Sequence, residues 1–227
     1  WASLIQSKLI VWNRFKDSLT VPFDGIKVSD TIRILLGSWW VDDGFTFGLN
    51  TVCFDLTALH QNYGDAYSAE NNPRIDRLFA HEFTHLIHKT WFLKTGYRPV
   101  TFRDSIFWEC MYEGIGMYRS LSPKWFPVNG KLPDDTRNAL AELIPVFRSR
   151  ISVLDAATEL SPAQKSRIQQ GLSRGAVNRK WGAFTIAIWL ALEANGDERK
   201  LIPLLLKDPE DAVRYLLMKY NGSRWKK

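Results

Sequence analysis

The sequence RLFAHEFTHLIH occupies residues 77–88 and contains three of the chain's four histidines. In an α-helix, residues four apart project from the same face, so His81 and His85 would present two imidazoles to one ion. Zinc binds imidazole nitrogens at about 2.0–2.1 Å in tetrahedral geometry, and this pair supplies half of such a ligand set. Glu82 is offset by roughly 100° around the helix, beside the ion without being forced to bind it. The stretch therefore predicts a metal site with Glu82 placed as a general base.

The predicted helix also has an apolar face on the side opposite the two histidines. Its members are Ile75, Phe79, Phe83, Leu86 and Ile87. Asn72-Pro73 predicts the start of the helix, with Asn as N-cap and Pro in the first turn, and we expect it to run to about Trp91. A surface amphipathic helix would give the same pattern, with Arg74 and Arg77 on its polar side. We favour the interpretation in which the histidines face a cleft.

Residues 81–85, HEFTH, resemble the HExxH signature of zincin metallopeptidases. Metzincins follow this signature with a glycine and a third histidine, but those positions hold His88 and Trp91 here. Residues 108–118, WECMYEGIGMY, are similar to the glutamate helix of aminopeptidase-like gluzincins and of related gluzincin-type peptidases. The resemblance covers mainly residues 72–121. It implies a Zn2+ ion held by two histidines and one glutamate.

Two glutamates compete for the place of the third ligand. We favour Glu113, which lies 28 positions beyond His85 and is followed by Gly114 and Gly116. Each glycine costs a helix about 1 kcal/mol relative to alanine, so a close approach to the histidine helix would explain them. Glu109 lies one turn earlier on the same face. In the register of thermolysin-like enzymes Glu109 would bind the metal, and Glu113 would orient a histidine.

Three further residues are candidates for supporting roles. His88 lies seven residues after His81, about 10.5 Å along the helix axis. It is therefore expected to support the site, face substrate or lie at the surface, and it is an alternative ligand. Gluzincins also use a C-terminal Tyr or His to stabilise the oxyanion, but the corresponding stretch here, NRKWGAF (178–184), has no Tyr. Arg179 or Lys180 could substitute electrostatically, so a weak, altered or lost activity stays open.

The pattern of elements predicts an α+β protein. Hydrophobic residues make up 45% of the 227 positions, enough for one substantial core. Short β-prone runs at 31–36, 45–47 and 51–56 predict a small sheet, whereas residues 60–72 read as a loop and the chain after Pro133 as helical. The resemblance implies a zincin-like N-terminal lobe (1–121) with the sheet, the active-site helix and the glutamate helix. A mostly helical C-terminal lobe (122–227) would complete one catalytic unit.

Two details of this fold bear on binding. By the same resemblance, the run 51–56 would be the strand at the edge of the cleft, to which an extended peptide could pair by strand addition. The tandem Trp39-Trp40 is expected to pack in the core rather than to form a ligand platform.

Charge and composition limit the partners. The net charge is +6, and the basic residues are scattered apart from a short tail, residues 224–227. This distribution indicates a solvated surface, and no nucleic-acid-binding motif is present, so no nucleic-acid partner is expected. The longest apolar stretch, residues 181–194, is too short to span a membrane. The two cysteines do not indicate a redox compartment.

The first residue is Trp rather than Met. A cleaved signal peptide would explain this start, as would trimming of the chain for other reasons, and we expect an exported protein, either secreted or in the periplasm or cell envelope. The sequence carries no signal for the oligomeric state.

The favoured function is a zinc-dependent peptidase that acts on peptides or proteins, with Glu82 as general base. The alternative is a zincin-fold protein that binds zinc as a binding or structural module. A third interpretation is a helical interaction domain with a coincidental motif.

Overall fold

The structure is a computed structural model that describes residues 1–220. The predicted basic tail lies outside the described residues. The described chain is mostly helical with one three-stranded sheet, which confirms the α+β class. It forms two compact units, Trp1–Tyr97 and a second that begins at Arg98. This division differs from the boundary expected after residue 121, because the helix that carries Glu113 packs with the helices that follow it.

The sheet of the first unit consists of β1 (Arg33–Gly37), β2 (Gly44–Phe47) and β3 (Thr51–Asp55). The strand order is β1-β3-β2, with β1 parallel and β2 antiparallel to β3. The three predicted strands are therefore confirmed. The expectation that the run 51–56 forms the cleft edge is wrong, because β3 is paired on both sides and all five of its residues are buried. Among the described strands, β2 lies at one edge and β1 at the other.

The helices of the first unit are α1 (Ala2–Phe15), α2 (Leu56–Tyr63) and α3 (Asn71–Thr95). A 3-10 turn, Lys16–Phe23, continues α1. The short helix α2 replaces part of the loop expected at residues 60–72, because Asp55 caps it by accepting hydrogen bonds from the N–H groups of Thr57 and Ala58, each at 3.0 Å.

Helix α3 begins just before the predicted position and ends later than predicted. Glu70, rather than Asn72, is its N-cap, and it ends at Gly96, whose φ of 70° is the left-handed conformation that favours glycine. The predicted apolar face is confirmed, since all five of its members are at most 2% exposed. On this face Trp12 of α1 stacks against Phe79 with 4.3 Å between ring centroids. The apolar face of α3 therefore packs against α1 in the core of the first unit.

The second unit is helical. Its helices are α4 (Phe102–Ser120), α5 (Asp134–Ala156), α6 (Pro162–Gln169), α7 (Ala183–Ala194), α8 (Ile202–Leu205) and α9 (Pro209–Tyr220). The apolar helix α7 is its centre, and α4 packs closely against it. A Cβ atom at Gly114 would lie 2.4 Å from Cγ2 of Ile186. Gly114 is therefore needed because α4 packs closely against α7. The prediction that it allows a close approach to the histidine helix is not supported by these contacts.

An ion network joins the ends of three helices in this unit. Arg103 donates to Glu210 at 2.6 and 2.9 Å and to Asp155 at 2.8 Å, and Arg214 donates to Glu210 at 2.7 Å. Hydrogen bonds from Arg214 lower the pKa of Asp155, and those from Arg103 lower the pKa of Glu210. Bidentate pairs of this kind hold α4, α5 and α9 together more firmly than single surface ion pairs do.

Replacing Arg103 by Met is expected to lower the free energy of unfolding by about 1–2 kcal/mol at pH 7. A carboxyl whose pKa is lowered by folding stabilises the folded chain above its unfolded pKa of about 4, and this contribution disappears as the pH falls through the folded pKa. Denaturant unfolding at pH 7 and pH 3 therefore should show a smaller difference between Arg103→Met and wild type at pH 3. An equal difference at both pH values would assign the effect to packing.

Two features bear on the remaining expectations. Among residues 1–220, none of the helices combines the length and the apolar content needed to cross a bilayer. Cys53 and Cys110 are both buried and free.

Candidate metal centre

His81 and His85 lie on the same face of α3, as their spacing predicts. Their Nε2 atoms are 2.9 Å apart, and their rings are perpendicular with centroids 4.6 Å apart. Two nitrogens bound to one tetrahedral metal ion at about 2.0–2.1 Å would be about 3.3 Å apart. The pair therefore needs only a small adjustment to bind one ion through both Nε2 atoms.

Glu113 of α4 offers a candidate third ligand atom. One ligand atom from each of His81, His85 and Glu113 lies within 4.8 Å of the other two. Two imidazoles and one carboxylate form a ligand set that leaves a fourth tetrahedral position open for water or substrate. This group could hold a metal ion.

The protonation state of His85 suits a metal ligand. Burial lowers the pKa of His85 well below its ordinary value, and the nearby His81, His88 and Lys89 lower it further. Only the neutral imidazole has a free lone pair for a metal ion. At neutral pH His85 is therefore in the form that binds a metal.

Glu82 lies beside the histidines and outside the group that could hold the ion. Its side chain is largely buried, and its Oε1 is 4.0 Å from Nε2 of His81. The backbone of β2 packs directly on it, because a Cβ atom at Gly44 would lie 3.1 Å from Cγ and 3.2 Å from Oε1 of Glu82. Lys89 is also close enough for the charge of Glu82 to raise its pKa, although burial lowers the pKa of Lys89 overall. The backbone of β2 therefore holds the carboxylate of Glu82 next to His81.

Glu109, the alternative ligand, has a different partner. Its Oε1 accepts a hydrogen bond of 2.5 Å from Oγ of Ser173. Ser173 belongs to the loop 171–181, whose ends are joined by a 2.7 Å hydrogen bond from the Trp181 N–H to the Gly171 carbonyl. Glu109 is thus tied to a loop, whereas Glu113 is grouped with the histidines.

The structure places His88 in the core. It is 2% exposed and packs edge-on against Phe23, with 4.9 Å between ring centroids, and against Trp91 at 5.9 Å. Burial lowers its pKa to about 3, so it is neutral at physiological pH. This buried position of His88 fits neither a residue at the surface nor a residue that faces substrate, two of the alternatives expected from the sequence.

The two cations considered as oxyanion stabilisers lie in the loop that binds Glu109. Arg179 is exposed and Lys180 is half-buried. Their part in oxyanion stabilisation stays a prediction.

Two residues near the site were missed by sequence reasoning. Gly44 is the residue of β2 that contacts Glu82. In the sequence, only its place between two aspartates and an apolar run could have indicated this role. Asp43, next to it, accepts a hydrogen bond from the hydroxyl of Tyr63. Burial raises the pKa of Asp43 despite that bond.

Comparisons with protein-family models, with curated proteins and with solved structures find no match to this chain. The class of protein that the fold and the site define is therefore an α+β protein with a candidate His-His-Glu metal centre. The zincin and gluzincin interpretations stay predictions from the two sequence motifs.

Proposed function

We propose that this chain is a zinc-dependent peptidase of the gluzincin type. The observation that carries the proposal is the grouping of His81, His85 and Glu113, with the carboxylate of Glu82 beside it. Two imidazoles and a carboxylate with an open fourth position are typical of catalytic zinc. They are the ligands expected if the ion is zinc rather than magnesium or calcium, which prefer oxygen ligands alone.

The residues of the chain have distinct roles in the proposed reaction. His81, His85 and Glu113 would hold the ion, and zinc in such a site acidifies water and polarises a carbonyl. Glu82 accepts a proton from the attacking water and then delivers it to the leaving amine. Arg179 or Lys180 would stabilise the negative charge on the carbonyl oxygen.

The edge strand β2 is the proposed platform for a peptide. Among the described strands it pairs only with β3, so an added strand would pair along its other edge. Gly44 begins this strand and packs on Glu82. A peptide paired with β2 would therefore pass beside the proposed general base.

Replacing Gly44 by Ala is expected to lower kcat/KM about tenfold or more without loss of metal, because the added methyl group must displace the Glu82 side chain by a few tenths of an ångström. Metal content and peptide cleavage of the variant check this. Full activity would mean that the contact with β2 does not position Glu82.

A second candidate function is zinc binding without peptidase activity. The absence of a tyrosine from residues 178–184 and the exposure of Arg179 favour it, because the oxyanion would then lack its usual stabiliser. In this case the metal would stabilise the fold or a binding surface.

Cleavage of a mixed-peptide library separates the two candidates. Zinc-loaded protein is incubated with the library, products are identified by mass spectrometry, and the assay is repeated with a chelator and after zinc is restored. The peptidase proposal expects cleavage that stops with the chelator and returns with zinc. Stoichiometric zinc with no cleavage would support the binding module.

A further inference from the structure

The loop between β1 and β2 exposes large apolar side chains. Trp39 is 40% exposed, Trp40 is 69% exposed and Val41 is 74% exposed. The expectation that the two tryptophans pack in the core is wrong. Exposed apolar residues that adjoin in this way mark binding surfaces more often than isolated ones do.

The loop is held in place by a buried carboxylate. One oxygen of Asp55 accepts hydrogen bonds from the N–H groups of Trp39, at 2.7 Å, and of Trp40, at 2.5 Å. The other oxygen caps α2. Asp55 itself is fully buried, so the loop is tied to the centre of the sheet rather than to a mobile surface group.

The side chain of Trp39 and the backbone of Trp40 are also constrained. The indole of Trp39 lies on Gly37, where a Cβ atom would be 2.4 Å from the ring, and it meets Phe45 edge-on at 5.2 Å. Trp40 has a φ of 59°, in the left-handed region that non-glycine residues rarely adopt. Such backbone strain persists only where the surrounding structure enforces it, and it is concentrated at functional sites. The backbone that carries the exposed indole of Trp40 is therefore held in a defined conformation.

In the sequence, this apolar loop leads directly into the strand residue that contacts the proposed catalytic base. Trp40 precedes Gly44 by four residues, and Gly44 is the residue of β2 that packs on Glu82. Asp42 and Asp43 lie between them, so the tip of the loop is apolar and its base is acidic. An anionic lipid surface or an acidic side chain would be repelled here, whereas an uncharged apolar side chain would be accepted.

We propose that Trp39, Trp40 and Val41 form an apolar subsite that selects peptide substrates with a large apolar side chain close to the scissile bond. This inference rests on the proposed peptidase function. The peptide lies along the free edge of β2, and its apolar side chain packs on the exposed indole of Trp40. Burial of one such side chain changes kcat/KM by about 10–100-fold.

The test uses three peptides that differ at one position only. That position lies near the bond that the library assay identifies, and it holds Leu, Gly or Glu. Wild-type protein is expected to cleave the Leu peptide at least about tenfold more efficiently than the Gly peptide, and the Glu peptide least. Trp40→Ala should lose this preference by lowering kcat/KM for the Leu peptide alone. Tyr67→Ala is the matched control, because Tyr67 is 71% exposed but lies in the segment before α3, and it should retain the preference.

Binding measurements keep this inference separate from the peptidase proposal. If zinc-loaded wild type cleaves no peptide, calorimetric titration with three alanine-based peptides that hold Leu, Gly or Glu at one central position decides: tighter binding of the Leu peptide that Trp40→Ala abolishes supports the subsite. Equal cleavage or equal binding of the Leu and Gly peptides by wild type overturns it. Loss of binding to phosphatidylcholine vesicles in Trp40→Ala, with peptide selection unchanged, also overturns it and assigns the loop to a membrane surface.

Discussion

Replacing Glu82 by Gln is expected to lower kcat by about 10²–10⁴-fold while the protein still binds one zinc ion. The amide has the shape of the carboxylate, so its packing against Gly44 is kept, but it cannot accept the proton of the attacking water. The ligand group of His81, His85 and Glu113 is untouched by this change. The measurement is kcat on a peptide from the library assay, with zinc content determined on the same sample.

Glu70→Gln is a suitable control for this experiment. Glu70 is an exposed N-cap residue of α3, with an exposed ion pair to Arg74, so its loss changes charge without touching the centre. Both variants should unfold near the wild-type temperature. A fully active Glu82→Gln protein would remove Glu82 from the mechanism.

Replacing Glu113 by Ala is expected to weaken zinc binding by at least about 100-fold, whereas Glu109→Ala should bind zinc nearly as wild type does. Loss of a group that merely orients a ligand already costs about 10–100-fold in metal affinity, and loss of a ligand should cost at least as much. Glu113 belongs to the group with the two histidines, but the carboxylate of Glu109 accepts the hydrogen bond from Ser173. Competition with a chromophoric chelator measures the two affinities.

Ser173→Ala and His85→Ala complete this comparison. Ser173→Ala removes the partner of Glu109 without removing a carboxylate, so it should resemble Glu109→Ala. His85→Ala should lose both zinc and activity. Strong zinc binding by Glu113→Ala together with weak binding by Glu109→Ala would make Glu109 the third ligand, the register of thermolysin-like enzymes.

The sequence predicted the part of the site that lies on one helix. The spacing of His81 and His85 and the apolar residues opposite them depend only on helix periodicity, and α3 reproduces both. The choice between Glu109 and Glu113 depends on what α4 packs against. Gly114 shows the difficulty. The sequence predicts that this glycine makes room for the histidine helix, whereas in the structure it makes room for Ile186 of α7.

The errors in the sheet have a similar origin. The three central residues of the run Thr51–Asp55 are apolar, a pattern typical of a strand buried on both faces. Its central place in the sheet, however, depends on pairing that a single sequence does not specify. Asp55 ends this strand, caps α2 and holds the Trp39-Trp40 loop. One buried carboxylate thus explains both a missed helix and two tryptophans that were wrongly expected in the core.

The metal content of the purified protein, followed by X-ray absorption spectroscopy at the zinc edge, tests the central claim most directly. We expect one zinc ion per chain with two imidazole ligands and oxygen ligands at about 2.0–2.2 Å, and loss of one oxygen ligand in Glu113→Ala. Protein that binds no zinc when it is supplied in excess, or that binds zinc through sulfur or through fewer than two imidazoles, would contradict the claim.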